Sequence, residues 1–252
     1  MIPPTIHLSH IDLAYDKRVL FHDLTLTLAP GKWVGLLGAS GVGKSTLLRL
    51  IAGLTQPLEV FTGAVYADNK IPLQQQVSYM AQTDLLLPWL SVLDNTIIGY
   101  TLRNRGISKS RAIQKQANVL LKAVGLDEAL HLYPHQLSGG MRQRVALVRT
   151  LIENKPVILM DEPFSALDAI TRYKLQNLTA KLLQGRTVLF VTHDPAEALR
   201  LSDDIYLLQG RPAQTKKITT LTTSTPRELA SPELALLEAG LFQELANASE
   251  DN

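Results

Sequence analysis

Cysteine is absent from the 252 residues, so neither a disulfide framework nor a thiol metal site can form, which fits a reducing compartment. An excess of one charge is missing too. The 25 basic and 23 acidic residues leave a formal charge of only +2, and nothing in that balance calls for nucleic acid. No uninterrupted apolar run approaches the ~18–20 residues needed to span a bilayer. The N-terminus, MIPPTIHLSH, lacks the basic-then-apolar order of a signal peptide. The chain is therefore expected to be soluble, and it contains no internal repeat. With 46% hydrophobic and 19% charged residues it reads as globular, long enough for one large domain or two small lobes.

What the chain does have is GASGVGKS at residues 38–45, the spacing of a phosphate loop: a glycine, four free positions, then Gly-Lys-Ser. The apolar run just before it, residues 33–37, suits a buried parallel strand. Residues 46–52 then repeat apolar side chains at helical spacing and stop at Gly53, a natural position just past a helix end. A glycine-rich turn can match such a template by chance, but here the strand and helix flank it correctly. The backbone of Gly38, Ala39, Ser40, Gly41, Val42 and Gly43, with the N-terminus of the helix that continues through Thr46, can hold phosphate oxygens. Lys44 adds a positive charge for the outer phosphates, and the Ser45 hydroxyl can ligate Mg²⁺. This is a nucleotide site.

Residues 6–28 read as two strands, with Leu24, Leu26 and Leu28 alternating with Thr25 and Thr27. Tyr15 lies in the connection between them, either packed on the core or stacked on a base, and both readings stay open. Residues 60–67 and 77–81 read as further strands, Gly63 marking a candidate bulge. The stretch DLLLPWLSVLDN, residues 84–95, has another texture. Ser91 and Asp94 are spaced as a helix-capping pair, with Pro88-Trp89-Leu90 just before them. It can be ordinary core or a docking patch for a partner helix. Residues 108–124 form an amphipathic helix whose apolar face carries Ile113, Ala117, Leu120, Leu121 and Val124. A shorter helical piece over 127–132 makes residues 83–135 a helical insertion.

LSGGMRQR, residues 137–144, opens another helix. The glycines after Ser138 offer a second backbone anion cradle, a weak signal when taken alone. Residues 157–160 form an apolar strand that delivers Asp161 and Glu162 at its end, where a parallel sheet binds ligands. A carboxylate pair there is costly to bury without partners. Asp161 can hold Mg²⁺, and Glu162 can accept a proton from an attacking water. His193 follows a strand at residues 187–191; a lone histidine is more often structural, but this one shares the strand-end edge with the carboxylates. Residues 205–208 are expected to close the sheet and residues 219–225 to form a linker. Residues 228–245 are expected to form a short amphipathic helix packed back on the body.

With the loop, Gln82, LSGGM, Asp161-Glu162 and His193 in this order, the chain resembles the ATPase subunits of ATP-binding-cassette transporters over nearly all of residues 5–210. The resemblance implies an α/β fold: a P-loop NTPase (RecA-like) core with a parallel sheet over 1–82 and 136–210, and an N-terminal antiparallel β part. It further implies a helical subdomain inserted at 83–135 and a C-terminal linker and short helix over 211–252. By the same resemblance the cofactors are ATP and Mg²⁺. Tyr15 stacks on adenine, the loop through Thr46 holds the phosphates, and Ser45, Gln82 and Asp161 surround Mg²⁺. Glu162, His193 and Gln82 serve catalysis. Ser138, Gly139, Gly140 and Met141 are similar to the signature that closes on the ATP of a second subunit. Asp168, in SALD at residues 165–168, is similar to the loop that crosses the dimer interface. The one variation, VRTL at residues 148–151 for the commoner Ala-Arg-Ala-Leu, touches helix packing more than chemistry.

The implied partners are a second ATPase subunit in a homodimer, a membrane permease docking near residues 84–95 and, indirectly, a solute-binding protein. No nucleic acid is among them, and the implied place is the cytoplasmic face of the cell membrane. The wording LLPWLSVLDN and the tail SPELALLEAGLFQEL look like importers of nitrate, sulfonate, taurine and pyrimidine precursors. YMAQTDLLLPWLSVLDN leans toward hydroxymethylpyrimidine, a thiamine precursor, as cargo. An exporter ATPase remains an alternative. Chromosome-maintenance and repair ATPases carry long coiled coils where this chain has a compact helical segment without sustained heptads. Translation-associated cassettes pair two cassettes through a basic linker. A non-enzymatic docking subunit is separable by measuring phosphate release.

Overall fold

The computed structural model describes residues 2–16, 18–57, 59–103, 111–228 and 231–250. In chain order its first elements are β1 (Ile6–Tyr15), β2 (Arg18–Leu28), β3 (Trp33–Gly38), α1 (Lys44–Ala52), β4 (Glu59–Ala67), α2 (Leu73–Gln76) and β5 (Val77–Met80). Next come α3 (Val92–Arg103), α4 (Arg111–Ala123), α5 (Gly139–Ile152), β6 (Val157–Asp161) and α6 (Ala169–Leu182). The last are β7 (Thr187–Val191), α7 (Pro195–Leu201), β8 (Asp204–Gln209), β9 (Gln214–Thr220) and α8 (Pro232–Glu250). They divide into two compact units: Met1–Val77 with Pro156–Glu162 and Gln184–Asn252, and Ser78–Lys155 with Pro163–Leu183.

In the first unit β3, β6 and β7 are buried along their whole length, as strands inside a parallel sheet are. β3 pairs in parallel with both β7 and β8, and β6 pairs in parallel with β7. The order across this part of the sheet is β6-β7-β3-β8-β9. Parallel neighbours point their carboxyl ends to one edge, so Asp161, Val191 and Gly38 close three adjacent strands on the same side. The sequence expectation that residues 205–208 close the sheet is corrected by β9, which pairs antiparallel with β8. An edge strand exposes much of its surface, and the Lys and Thr content of QTKKITT hides the usual apolar alternation. Lys217 instead pairs with Asp204 at 2.8 Å.

A separate antiparallel sheet, order β2-β1-β4, carries the alternation read from Leu24, Leu26 and Leu28, all buried. Gly63 lies beside a register shift between Ser9 and Asp12, with φ of 94°. A Cβ there would stand 2.3 Å from the His10 carbonyl oxygen, so the bulge requires glycine. α8 packs back through Leu241 and Ala248 onto Leu37, Ala198, Leu199, Ile205 and Leu207. It begins at Pro232, later than the predicted start, and Leu229 lies outside the described residues.

Gly35, in the middle of β3, faces α7. A Cβ at that position would lie 2.3 Å from Ser202 Oγ and 3.5 Å from Ala198 Cβ. Gly35→Ala is therefore expected to push α7 off the sheet and to cost ~1–3 kcal/mol or more of stability, read as an earlier midpoint in urea unfolding. An unchanged midpoint would show that α7 yields freely.

In the second unit α3, α4 and α5 enclose Ile97, Ala117 and Ile152, with Leu93, Ile113 and Leu120 packed against them. The predicted helix over 108–124 appears as α4; residues 108–110 lie outside the described residues. The piece predicted over 127–132 is a single 3₁₀ turn, Asp127–Ala129. The capping pair forms, Ser91 Oγ accepting from the Asp94 N–H at 3.1 Å. This unit also contains α5 and α6. Among the described residues no helix is long and apolar enough to cross a membrane.

Candidate functional site

The loop from Gly38 to Lys44 is shaped by its glycines. Gly43 caps α1 with φ of 111°, a conformation that L side chains rarely adopt. A Cβ there would also stand 2.9 Å from the Phe21 ring, and at Gly38 one would stand 2.7 Å from the Leu208 carbonyl oxygen. Among the described residues no side chain caps the N-terminus of α1, which leaves its first-turn N–H groups open to an anion. Lys44 is buried, and its Nζ donates to the carbonyls of Gly38 at 2.8 Å and Ala39 at 2.9 Å. Burial pushes its pKa below the usual lysine value, and Glu162 and Asp161 work against that. A cationic head tethered to loop carbonyls, beside uncapped amides, fits a polyphosphate.

Asp161 ends β6 at 2% exposure. Burial raises its pKa, the Ser45 hydroxyl hydrogen bond lowers it, Glu162 raises it further, and Lys44 and Arg49 lower it. Among the described residues no three His, Cys, Asp or Glu side chains form a metal cage. The Asp161–Ser45 pair is instead a partial set of hard oxygens, the kind that Mg²⁺ completes with phosphate oxygens and water. Glu162 follows in a left-handed conformation, φ 48°, its N–H donating to Val191 O at 3.0 Å. That turn places Glu162 Oε1 3.3 Å from Nδ1 of His193, which stands two residues past β7 and is mostly exposed. Tyr15, at the end of β1, carries an exposed ring, not a core one.

The first unit thus brings together Lys44, Ser45, Asp161, Glu162 and His193. Gln82, Ser138, Gly139, Gly140, Met141 and Asp168 belong to the second unit. Gln82 is exposed, just beyond β5. Ser138 caps α5, its Oγ accepting from the Met141 N–H at 3.2 Å. Asp168 caps α6, accepting from the Thr171 N–H at 3.0 Å, which holds its carboxyl below the usual range.

Some structural residues were not singled out in the sequence. Gln143 accepts the Ala166 N–H at 2.9 Å, and a Cβ on Gly140 would lie 3.3 Å from the Ala166 carbonyl, so the signature turn and the SALD loop are braced on each other. Gln143 lies inside the LSGGMRQR motif, but nothing local marks its partner. Asn95, fully buried, accepts from the Leu87 N–H at 2.8 Å and donates to the carbonyls of Leu87, Leu90 and Ser91. Arg142 Nε meets Asp84 Oδ2 at 3.0 Å, and Arg149 donates to the carbonyls of Leu85 and Asp84. These contacts pin the segment from Asp84 to Ser91 while Leu85 and Trp89 stay 62% and 69% exposed.

A family model described as ABC transporter matches residues 21–165. An ABC transporter ATP-binding protein of Haemophilus influenzae is 42% identical over 95% of this chain and 98% of its own length. An aliphatic sulfonates import ATP-binding protein of Rhodococcus jostii is 46% identical over 81% of each chain. One of the same description from Pseudomonas syringae is 41% identical over 93% of this chain and 95% of its own. Among solved structures, a dimeric ATP-binding cassette in a post-hydrolysis state bound to ADP and Pi superposes with a TM-score of 0.74 at 30% identity. The match covers 86% of this chain and all of that one.

Proposed function

Because the chain belongs to the ABC transporter family, we propose that it is the ATP-hydrolysing subunit of an importer, acting as a dimer on a separate membrane permease. The observation that carries this is the convergence, on adjacent parallel strand ends, of a buried lysine in an uncapped phosphate loop with Asp161, Glu162 and His193. Lys44 exchanges the carbonyls of Gly38 and Ala39 for the outer phosphates of ATP, and the amides of the loop through Thr46 hold the rest. Tyr15 offers its exposed ring to the base. Ser45 and Asp161 would hold Mg²⁺, with Gln82 a further candidate ligand, and the ion would neutralise charge on the transferred phosphoryl group. Glu162 accepts the proton of the attacking water; His193 orients that carboxylate and faces the terminal phosphate.

Ser138, Gly139, Gly140 and Met141 serve the ATP of the second subunit, Asp168 lies in the loop that crosses the dimer interface, and Gln143 lets the two move as one block. The division expected from sequence, a core over 1–82 and 136–210 with 83–135 inserted, remains the reading of which parts bind ATP. The pinned segment with outward Leu85 and Trp89 is the docking patch for the permease, on the cytoplasmic face of the membrane. Relatives named for aliphatic sulfonates support a sulfonate-type solute over hydroxymethylpyrimidine as cargo.

The test is phosphate release from Mg²⁺-ATP by the purified chain, alone and with its permease. Release that depends on Mg²⁺ and saturates with ATP is expected, and its absence in both settings would overturn the reading. Lys44→Met is expected to weaken ATP binding ~10–100-fold, the worth of charge-assisted hydrogen bonds to phosphate. Equilibrium titration with a fluorescent ATP analogue checks it.

A further inference from the structure

After β9 the chain runs without regular structure through residues 221–228, yet Arg227 in that stretch is only 4% exposed. A guanidinium has five N–H donors, and here each has an acceptor. Nη1 donates to Leu199 O at 3.0 Å and Ser202 O at 2.6 Å. Nη2 donates to Leu221 O at 3.4 Å and to Thr223 O, and Nε donates to Thr223 Oγ1 at 2.6 Å. The main chains lock as well: the Arg227 N–H donates to Arg200 O at 2.9 Å, and Arg200 Nη1 donates back to Arg227 O.

None of these acceptors is a carboxylate. Leu199, Arg200 and Ser202 form the C-terminal end of α7, where unpaired carbonyls carry partial negative charge and favour a cation. A seven-residue helix is too short to hold its own place, so its packing and its ends decide where it sits. Its other end is capped by Asp194, which accepts from the Ala196 N–H at 3.0 Å, and His193 is the next residue back. One buried side chain therefore ties an irregular C-terminal segment to the helix whose capped start directly follows His193.

We propose that Arg227 is a positioning residue for ATP hydrolysis: by fixing the C-terminal end of α7 it sets the place of His193 against Glu162. The inference rests on the roles given above to Glu162 and His193. It makes the C-terminal segment a brace on the catalytic edge and gives the segment a route to modulate turnover.

The test measures kcat and KM for ATP, with thermal melting to report the folded fraction, in Arg227→Met, Arg227→Lys, Thr223→Ala and His193→Ala. Thr223→Ala is the mild variant, because it leaves the guanidinium in place with one donor unanswered; it carries the test with Arg227→Lys if Arg227→Met fails to fold. The expected result is a fall in kcat of ~10-fold for Arg227→Met and ~2–3-fold for Thr223→Ala, at KM values within about twofold of the parent, with Arg227→Lys between them. Unchanged kcat in folded Arg227 and Thr223 variants, while His193→Ala is slow, overturns the brace alone. Activity that falls only with the folded fraction also overturns it. Parent-like turnover in His193→Ala overturns the reading of the site, and the brace with it.

Discussion

Glu162→Gln is expected to lower ATP turnover by about 10²–10⁴-fold, the usual worth of a positioned general base, while ATP affinity stays within a few-fold of the parent. The two side chains have the same shape, so the turn that follows β6 should persist: its left-handed backbone and its N–H bond to Val191 O do not involve the carboxylate. What disappears is the ability to take a proton beside His193, 3.3 Å away. Binding without hydrolysis has a second consequence. If ATP favours the closed dimer, a variant that cannot hydrolyse it accumulates in that state. Size-exclusion chromatography with Mg²⁺-ATP should then show a stable dimer for Glu162→Gln and a transient one for the parent. Near-normal phosphate release by the variant would place the base elsewhere.

The parts of this site legible in the sequence are those that chain-local physics encodes. GASGVGKS needs Gly38 and Gly43 where a Cβ would meet the Leu208 carbonyl and the Phe21 ring, and fully apolar runs before Gly38 and Asp161 mark strands buried on both faces. Once those strands are parallel, their ends must share an edge, so the meeting of Asp161 with the phosphate loop follows from topology. β9 escaped because an edge strand needs no apolar alternation, and its lysines find partners on neighbouring elements. The roles of Arg227 and Gln143 escaped for another reason. The Leu199 and Ser202 carbonyls that hold Arg227 and the Ala166 N–H that holds Gln143 are backbone groups far away in sequence, and a backbone group leaves no trace in residue identity. Trp89 lay between both cases: the sequence shows an apolar cluster, and only the Asn95 and Arg149 bonds reveal a segment held with its indole outward.

Asp161→Asn is expected to do two opposite things: stabilise the ligand-free chain at neutral pH and lower Mg²⁺-dependent turnover ~10²-fold or more. Burial raises the Asp161 pKa above its ordinary value, despite the Ser45 hydrogen bond and the Lys44 charge. Between the ordinary and the raised value the folded chain binds more protons than the unfolded chain. Stability contributed by this group therefore falls as pH rises through that interval, and the loss is complete above it. Asparagine removes the charge and the slope but keeps an oxygen that can accept from Ser45. The expected gain at pH 7 is a melting temperature higher by roughly 2–4 °C, about 1 kcal/mol for a chain of this size. Lys44 limits the gain, because its own pKa is already lowered by burial and Asp161 is one of the two charges that support its ammonium. Melting curves across the acid range should show a slope in the parent that is smaller in the variant. Adding Mg²⁺-ATP should raise the parent's melting temperature far more than the variant's. A variant that keeps Mg²⁺-dependent turnover would remove Asp161 from the proposed Mg²⁺ site, and one that melts lower than the parent without ligand would show that its buried charge does not cost stability.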